Sequence, residues 1–343
     1  MLLRDDHITC TRQEEIAMLK NFKRLVLAAC CGVLFTHAPA NAADIVLRFA
    51  HEAPETAIKG QSANKLAELV EKYTDGSVKI QVFPGGQLIP TTDEIRAVAR
   101  GQVDIVAPYT SYFSAIDPAW DVFYQPMLFP DPQTAMTVFS GPVGQELLGR
   151  LSSRGMTGLS VWHDGPIYVF GKGKPILTPS DMENLKIRVA PSRPIELALS
   201  AAKATAVAIP ATEVYLALQQ GVANAVITTS TYVGPAKWNE VLSTGTRVMF
   251  GMGGYGLVVN TKSMEKMDDK QRAGFMKAVG ETEQWNQDQA TMEIKRWETY
   301  LAENGLKWYE VNAEQKAQWQ AIADQVEAAQ NPDAKALVEK IRK

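Results

Sequence analysis

Apolar and polar residues change places along this chain with two alternating periods. Residues 45–50 (IVLRFA) read as a strand, and Leu66, Leu69, Val70 and Tyr73 recur at helical spacing within 61–73 before Asp75-Gly76. Residues 78–83 alternate with period two. The three together predict a β-α-β unit. The same grammar continues with a helix over about 93–100, stopped by Gly101, and a strand over 103–107. A parallel sheet is the expected consequence. Residues 108–132 break the pattern, placing Pro108, Pro118, Pro126, Pro130 and Pro132 among aromatic side chains. A long ordered loop of that kind usually serves a function, and here it is expected to line a cleft.

A second block begins near Tyr168. Thr178-Pro179-Ser180-Asp181 signals a helix start, followed by a strand at 186–189, a helix at 193–202, a strand at 204–209 and a helix at 212–220 stopped by Gly221. Strands at 225–228 and 246–250 would complete a second small sheet. Gly251-Met252-Gly253-Gly254 then reads as an interruption suited to a crossover between domains, because glycine tolerates unusual backbone angles. Strand character returns at 255–260. From Asp268, with Gln271 as partner in a capping box, the chain is proline-free and helical to about Glu303, ending at Asn304-Gly305. Such a helix would be roughly 50 Å long at 1.5 Å per residue, long enough to brace two halves. A short strand at 306–311 and C-terminal helices follow.

Composition narrows the class. The 343 residues, 46% hydrophobic and 21% charged, suit a globular protein of two domains. A formal charge of -3 without a basic block disfavours nucleic acid as a partner. The segment from Met18 has a basic patch (Lys20, Lys23, Arg24), an apolar run over 25–35 and Ala40-Asn41-Ala42, the layout of a signal peptide cleaved after Ala42. Acidic residues before Met18 fit such a leader poorly, so translation is expected to start there. Lipid anchoring at Cys30 is the weaker reading, since the apolar run before it is too short. All three cysteines, Cys10, Cys30 and Cys31, fall in this leader, so the exported part cannot use disulfides. It loses five of the 35 basic and four of the 38 acidic residues, leaving a net charge of -4. His51 and His163 are its two histidines.

Common catalytic motifs are absent: there is no phosphate loop, no Gly-x-Ser-x-Gly elbow, no His-Glu-x-x-His and no dinucleotide fingerprint. His163 and Asp164, adjacent on a strand, should point to opposite faces and not act as a pair. His51 ends the first strand, where open α/β sheets bind their ligands. No cofactor and no metal is expected.

An exported, cysteine-free α/β chain without catalytic equipment reads as a binding protein. Its sequence resembles the extracytoplasmic solute-binding subunits of tripartite ATP-independent periplasmic (TRAP) transporters, of the dicarboxylate-binding type. The likeness runs from FAHEAP (49–54) through FPGGQL (83–88), GQVDI (101–105), PMLFPD (126–131), LKIRVAPS (185–192) and ATEVYLALQQGVANA (211–225) to the C-terminal helices. The resemblance implies a two-lobed periplasmic-binding-protein fold, with lobe I formed by 43–166 plus 254–293 and lobe II by 167–253 plus 294–343. It also implies a periplasmic monomer that hands its ligand to a TRAP membrane permease.

In such proteins an arginine of the LKIRV strand holds a substrate carboxylate, which assigns that role to Arg188. A planar guanidinium offers parallel donors that match a carboxylate. Where several relatives place a second arginine this chain has Tyr168, and where many place an asparagine it has Thr228. Without a second positive charge, two buried carboxylates would be costly. The expected ligand is therefore a monocarboxylate with an apolar, aromatic or hydroxylated remainder. Tyr109, Tyr168, Trp162, Tyr215 and Tyr232 are candidate walls, and His51 and Tyr109 candidate contacts from the first lobe. Residues 251–254 and the strand around 166–170 are the expected hinges. Two other classes share these features: a ligand-sensing module for a signalling partner, and an exported enzyme using Glu213 or Asp104 as base. Glu213 in the first turn of a helix is explained as well by the helix dipole.

Overall fold

The computed structural model describes residues 44–343; the leader, its cleavage point and Cys30 lie outside the described residues. The chain begins with β1 (Ile45–Ala50), α1 (Ile58–Tyr73), β2 (Val78–Phe83), α2 (Glu94–Ala99) and β3 (Ile105–Val106). β2 and β3 flank β1, both parallel to it. Helix α1 buries Leu66, Leu69 and Val70 on the sheet and stops where Asp75 and Gly76 take positive φ.

Residues 108–132 form short 3-10 turns at Thr110–Ala115 and Pro118–Tyr124, the second capped by Asp117. Two helices that the hydrophobic pattern did not reveal follow: α3 (Pro132–Ser140), capped by Asp131, and α4 (Pro142–Gly149). The next strand, β4 (Met156–Gly171), is sixteen residues long and buried along most of its length. After it come β5 (Lys186–Val189), α5 (Arg193–Ala201), β6 (Thr205–Ala208), α6 (Val214–Gln219), β7 (Ala225–Thr229) and α7 (Ser230–Val233). The chain continues through β8 (Thr244–Thr246), β9 (Met252–Asn260), α8 (Thr261–Glu265), α9 (Asp269–Glu303), β10 (Lys307–Tyr309), α10 (Ala313–Ala329) and α11 (Pro332–Ile341).

The strand order is β2-β1-β3-β9-β4-β7-β5-β6, with β8 joining β4 to β10. The expectation of a parallel sheet holds only at its two ends. β1, β2 and β3 are parallel, as are β5, β6 and β7, but β9 and β4 between them are antiparallel to each other and to their outer neighbours. A further correction concerns 251–254. The strand is continuous from Met252, and its glycines serve close packing: a Cβ on Gly253 would lie 2.3 Å from the Tyr109 hydroxyl, and one on Gly254 2.5 Å from the Phe139 ring. The strand expected at 246–250 lies earlier, at Thr244–Thr246.

Helix α9 opens with the expected capping box of Asp268 and Gln271 and runs for 35 residues. Its first half packs Phe275, Ala278 and Val279 with Leu66 and Leu257. Its last turns place Trp297 against Gly234 and Leu301 with Val233 and Trp238. One helix therefore braces both ends of the sheet. No helix among the described residues is long and apolar enough to cross a membrane.

Candidate functional site

Where the two parallel groups of strands meet β4 and β9, side chains from both line a cavity. From the first half come Glu52, Thr91, Tyr109, Tyr112 and Tyr124; β4 and β9 supply Asp164, Ile167 and Tyr255. The second half adds Arg188, Ala190, Ser192, Ile195, Ala211, Ile227, Thr228, Tyr232 and Trp238.

Arg188 is fixed by its strand. β5 lies between β6 and β7, with Arg188 in register with Val207 and Val226, and only 3% of the residue is exposed. Its Nε donates to the carbonyl of Ile209 at 2.9 Å, and the guanidinium carbon lies 5.5 Å from the centre of the Trp238 ring. No carboxylate among the described residues pairs with it. Burial pulls its pKa down from the ordinary value, opposed by the nearby Tyr112, Tyr232, Tyr109 and Glu52. A buried guanidinium in this state has free donors that could hold an anion.

Tyrosines surround it. Tyr109 packs edge-on against Tyr255, with ring centres 5.5 Å apart, and Tyr232 lies 5.3 Å from Trp238. The Tyr124 hydroxyl is held by Thr110 at 2.6 Å and the backbone N–H of Ser111 at 2.8 Å. Burial raises the pKa of each of these phenols, and that of Tyr112 to about 12, so they stay protonated and can donate.

Two carboxylates reach the same cavity. Glu52 forms a buried ion pair with Lys59, whose ammonium also lies 4.6 Å from the centre of the Tyr255 ring. Asp164 is 1% exposed and accepts hydrogen bonds from Thr229 at 2.8 Å and Thr231 at 2.7 Å. It sits at a bulge in β4: His163 pairs with Gly254 and Gly165 with Gly253, leaving Asp164 without a residue opposite on β9. Bulges of this kind re-aim a side chain.

Residues 49–331 match the family of bacterial extracellular solute-binding proteins, family 7 (DctP). The chain belongs to this family. It is 30% identical over 305 residues to the C4-dicarboxylate-binding periplasmic protein DctP of Rhodobacter capsulatus, covering 87% of this chain and 91% of the relative. It is similar to a TRAP periplasmic solute binding protein of Sulfurospirillum deleyianum with bound succinate, at 27% identity and a TM-score of 0.81. That match covers 88% of this chain and 99% of the other. A second such protein with bound succinate, from Shewanella oneidensis, superposes with a TM-score of 0.82 at 26% identity, over 87% and 98% of the two chains. The DctP family is one of receptors, not of enzymes.

In this DctP-family chain the residues singled out from sequence divide into two groups. Arg188, Thr228, Tyr109 and Tyr232 come together on the cavity. The others do not line it. Tyr168 packs against Trp308, and at this point of β4 its neighbour Ile167 lines the cavity instead, as strand alternation requires. Trp162 is fully buried beside Phe49 in the core under β1 and β9. Tyr215 bonds Glu240 at the surface, and Glu213 is exposed. His51 is buried edge-on to Phe49, held neutral by burial and by the charge of Lys59, its pKa lowered to about 3. Asp104 is engaged by Ser263 at 2.6 Å and the Arg48 backbone at 2.9 Å, away from the cavity. His163 and Asp164 do face different ways, the histidine toward Ser140 at 2.9 Å. Glu52, Lys59 and Ile167 were not singled out, and Asp164 was considered only as a partner for His163. A charged residue between an aromatic pair and a glycine in a strand, as in WHDG, was the available signal for Asp164.

Proposed function

We propose that this protein is a periplasmic receptor that captures a small organic monocarboxylate and delivers it to a TRAP membrane permease. The observation that carries the reading is Arg188: a guanidinium buried on a rigid strand, in a cavity, with no salt-bridge partner among the described residues. A ligand carboxylate would complete it with parallel hydrogen bonds.

The named relatives are a C4-dicarboxylate-binding protein and two proteins with bound succinate. Two features favour a single carboxylate in this chain. Arg188 is the one cation among the lining residues, and β4 contributes the acidic Asp164 and the apolar Ile167 to that lining, neither of them a second cation. Lys59, whose ammonium lies over the lining Tyr255, is already paired with Glu52. The remainder of the ligand would meet tyrosine hydroxyls, Thr228 and apolar walls, which suits a hydroxylated or apolar chain.

Closure supplies the signal. The cavity walls come from both parallel groups of strands, so a ligand touching both stabilises the closed arrangement over an open one. The two groups, with the boundaries set by the resemblance, would be the moving lobes, and β4 and β9 the strands that flex. Isothermal calorimetry tests the reading: Arg188→Ala should fold and lose at least a hundredfold in affinity for the carboxylate found by screening organic acids. Unchanged affinity would overturn it.

A further inference from the structure

The cavity holds a charge that the capture of a carboxylate does not use. Asp164 is fully buried, and its oxygens accept hydrogen bonds from the hydroxyls of Thr229 and Thr231 alone; no lysine or arginine pairs with it among the described residues. Two neutral hydroxyls compensate a buried carboxylate only in part, because each oxygen keeps acceptor capacity and the charge has no counterion in contact. The Tyr255 phenol lies close enough to favour the ionised form but forms no hydrogen bond of full geometry. Burial lifts the pKa of Asp164 to about 6 against the pull of those hydroxyls and of the more distant Lys59, as expected for a carboxylate short of donors. Glu52, the other acid on the cavity, differs: its charge is matched by Lys59. Asp164 and Arg188 share the cavity, and Tyr109 and Tyr232 each sense both charges.

We propose that Asp164 is the specificity-determining residue for the part of the ligand that Arg188 does not hold: it accepts a hydrogen bond from a ligand hydroxyl and repels a second ligand carboxylate. The physics is asymmetric. A ligand O–H supplies the donor the buried carboxylate lacks, whereas a second carboxylate would set two like charges side by side in a site of low dielectric. A site built to accept a hydrogen bond also rejects the analogue that cannot donate, because its polar group is then left unpaired. The inference names the substrate class of the same cavity and rests on the reading that Arg188 binds a carboxylate.

Matched ligands test it on the full exported chain. Unbranched ω-hydroxy acids and the α,ω-diacids of equal length, from three to six carbons, differ only in whether the far end is CH2OH or carboxylate. Calorimetry or thermal shift at pH 7.5 should show wild type preferring the hydroxy acid at its best chain length by tenfold or more. Asp164→Asn keeps the shape and removes the charge, and should reduce that preference to about threefold or less by tightening the diacid. Asp164→Ser provides the same comparison should the asparagine variant unfold. Equal preference in wild type and variant, tighter binding of diacids by wild type, or no binding of any hydroxy acid to wild type each overturns the proposal. Arg188→Ala is run alongside. Unchanged binding there defeats the carboxylate reading, whereas loss of binding there with an unmoved preference in Asp164→Asn defeats only the role of Asp164.

Discussion

A lysine without access to water has to be held by its neighbours. Lys59 is fully buried, paired with Glu52 and stacked over Tyr255, and Glu94 lies close enough for its charge to matter. Removing one partner of such a pair strands the other, at a cost of about 3–5 kcal/mol. Lys59→Met is therefore expected to destabilise the fold by that amount in urea titration. The double variant with Glu52→Gln should cost less than Lys59→Met alone; equal costs would mean the pair is not coupled. His163 offers a second measurement. Burial lowers its pKa to about 4, while the unfolded chain takes up the proton near 6.5. The unfolded state thus binds more protons between those values, and stability is lost as pH falls through that window, by about 3 kcal/mol at pH 4. Asp164, raised to about 6, works in the opposite direction, because the folded state takes its proton first. Comparing His163→Gln with wild type at each pH isolates the histidine: the variant should gain on wild type steadily from pH 7 to 4.5, and a constant gap would refute the sign. Arg188 was legible in the sequence because a motif carried it. Lys59 and Asp164 were not, since their importance comes from burial imposed by helix packing and by a bulge, neither of which side-chain identity reveals.

At the scale of elements, periodicity located the strands around the site well and the glycine run badly. β1, β2 and β5 have the bounds the pattern predicts, and α9 has the expected cap. A glycine cluster has two opposite meanings, a break or a close approach, and only the neighbours decide. Here Phe139, Phe113, Tyr109 and the backbone of Phe123 press onto β9 and the residue before it. Gly251 is the most constrained. Its φ is +132°, and an added Cβ would lie 2.3 Å from the carbonyl oxygen of Phe123. Gly251→Ala should therefore cost about 2 kcal/mol or more, from backbone strain and displacement of the 3-10 turn that carries Tyr124. A denaturation midpoint within error of wild type would show that the turn yields freely. Strand character was legible in β4 only around His163-Asp164 and 166–170, and not its full length, for a related reason: it is buried on both faces, so the alternation that marks a half-buried strand is missing.

For the whole molecule, the arrangement of strands bears on motion. β4 and β9 pair along most of their length, and each continues from one parallel group toward the other. Helix α9 ties both groups from outside, with Asn286 accepting the His163 N–H at 2.6 Å and donating to Ser62 at 3.1 Å. Helix α10 adds a second tie, its Trp319 donating to the Leu177 carbonyl at 2.9 Å while Gln125 donates to Ala323. Opening the cavity would have to bend β4 and β9 against these ties. A ligand can drive closure only by its difference in affinity for the two arrangements, and moving a population from mostly open to mostly closed takes several kcal/mol of that difference. Arg188, on the second group of strands, forms no salt bridge among the described residues. Small-angle scattering should accordingly show a smaller radius of gyration when the ligand saturates the wild-type protein. The same ligand concentration should leave Arg188→Ala unchanged, because the anchor that converts binding into closure is gone. A wild-type protein equally compact with and without ligand would remove the conformational signal from the proposed mechanism and leave affinity as its sole contribution to transport.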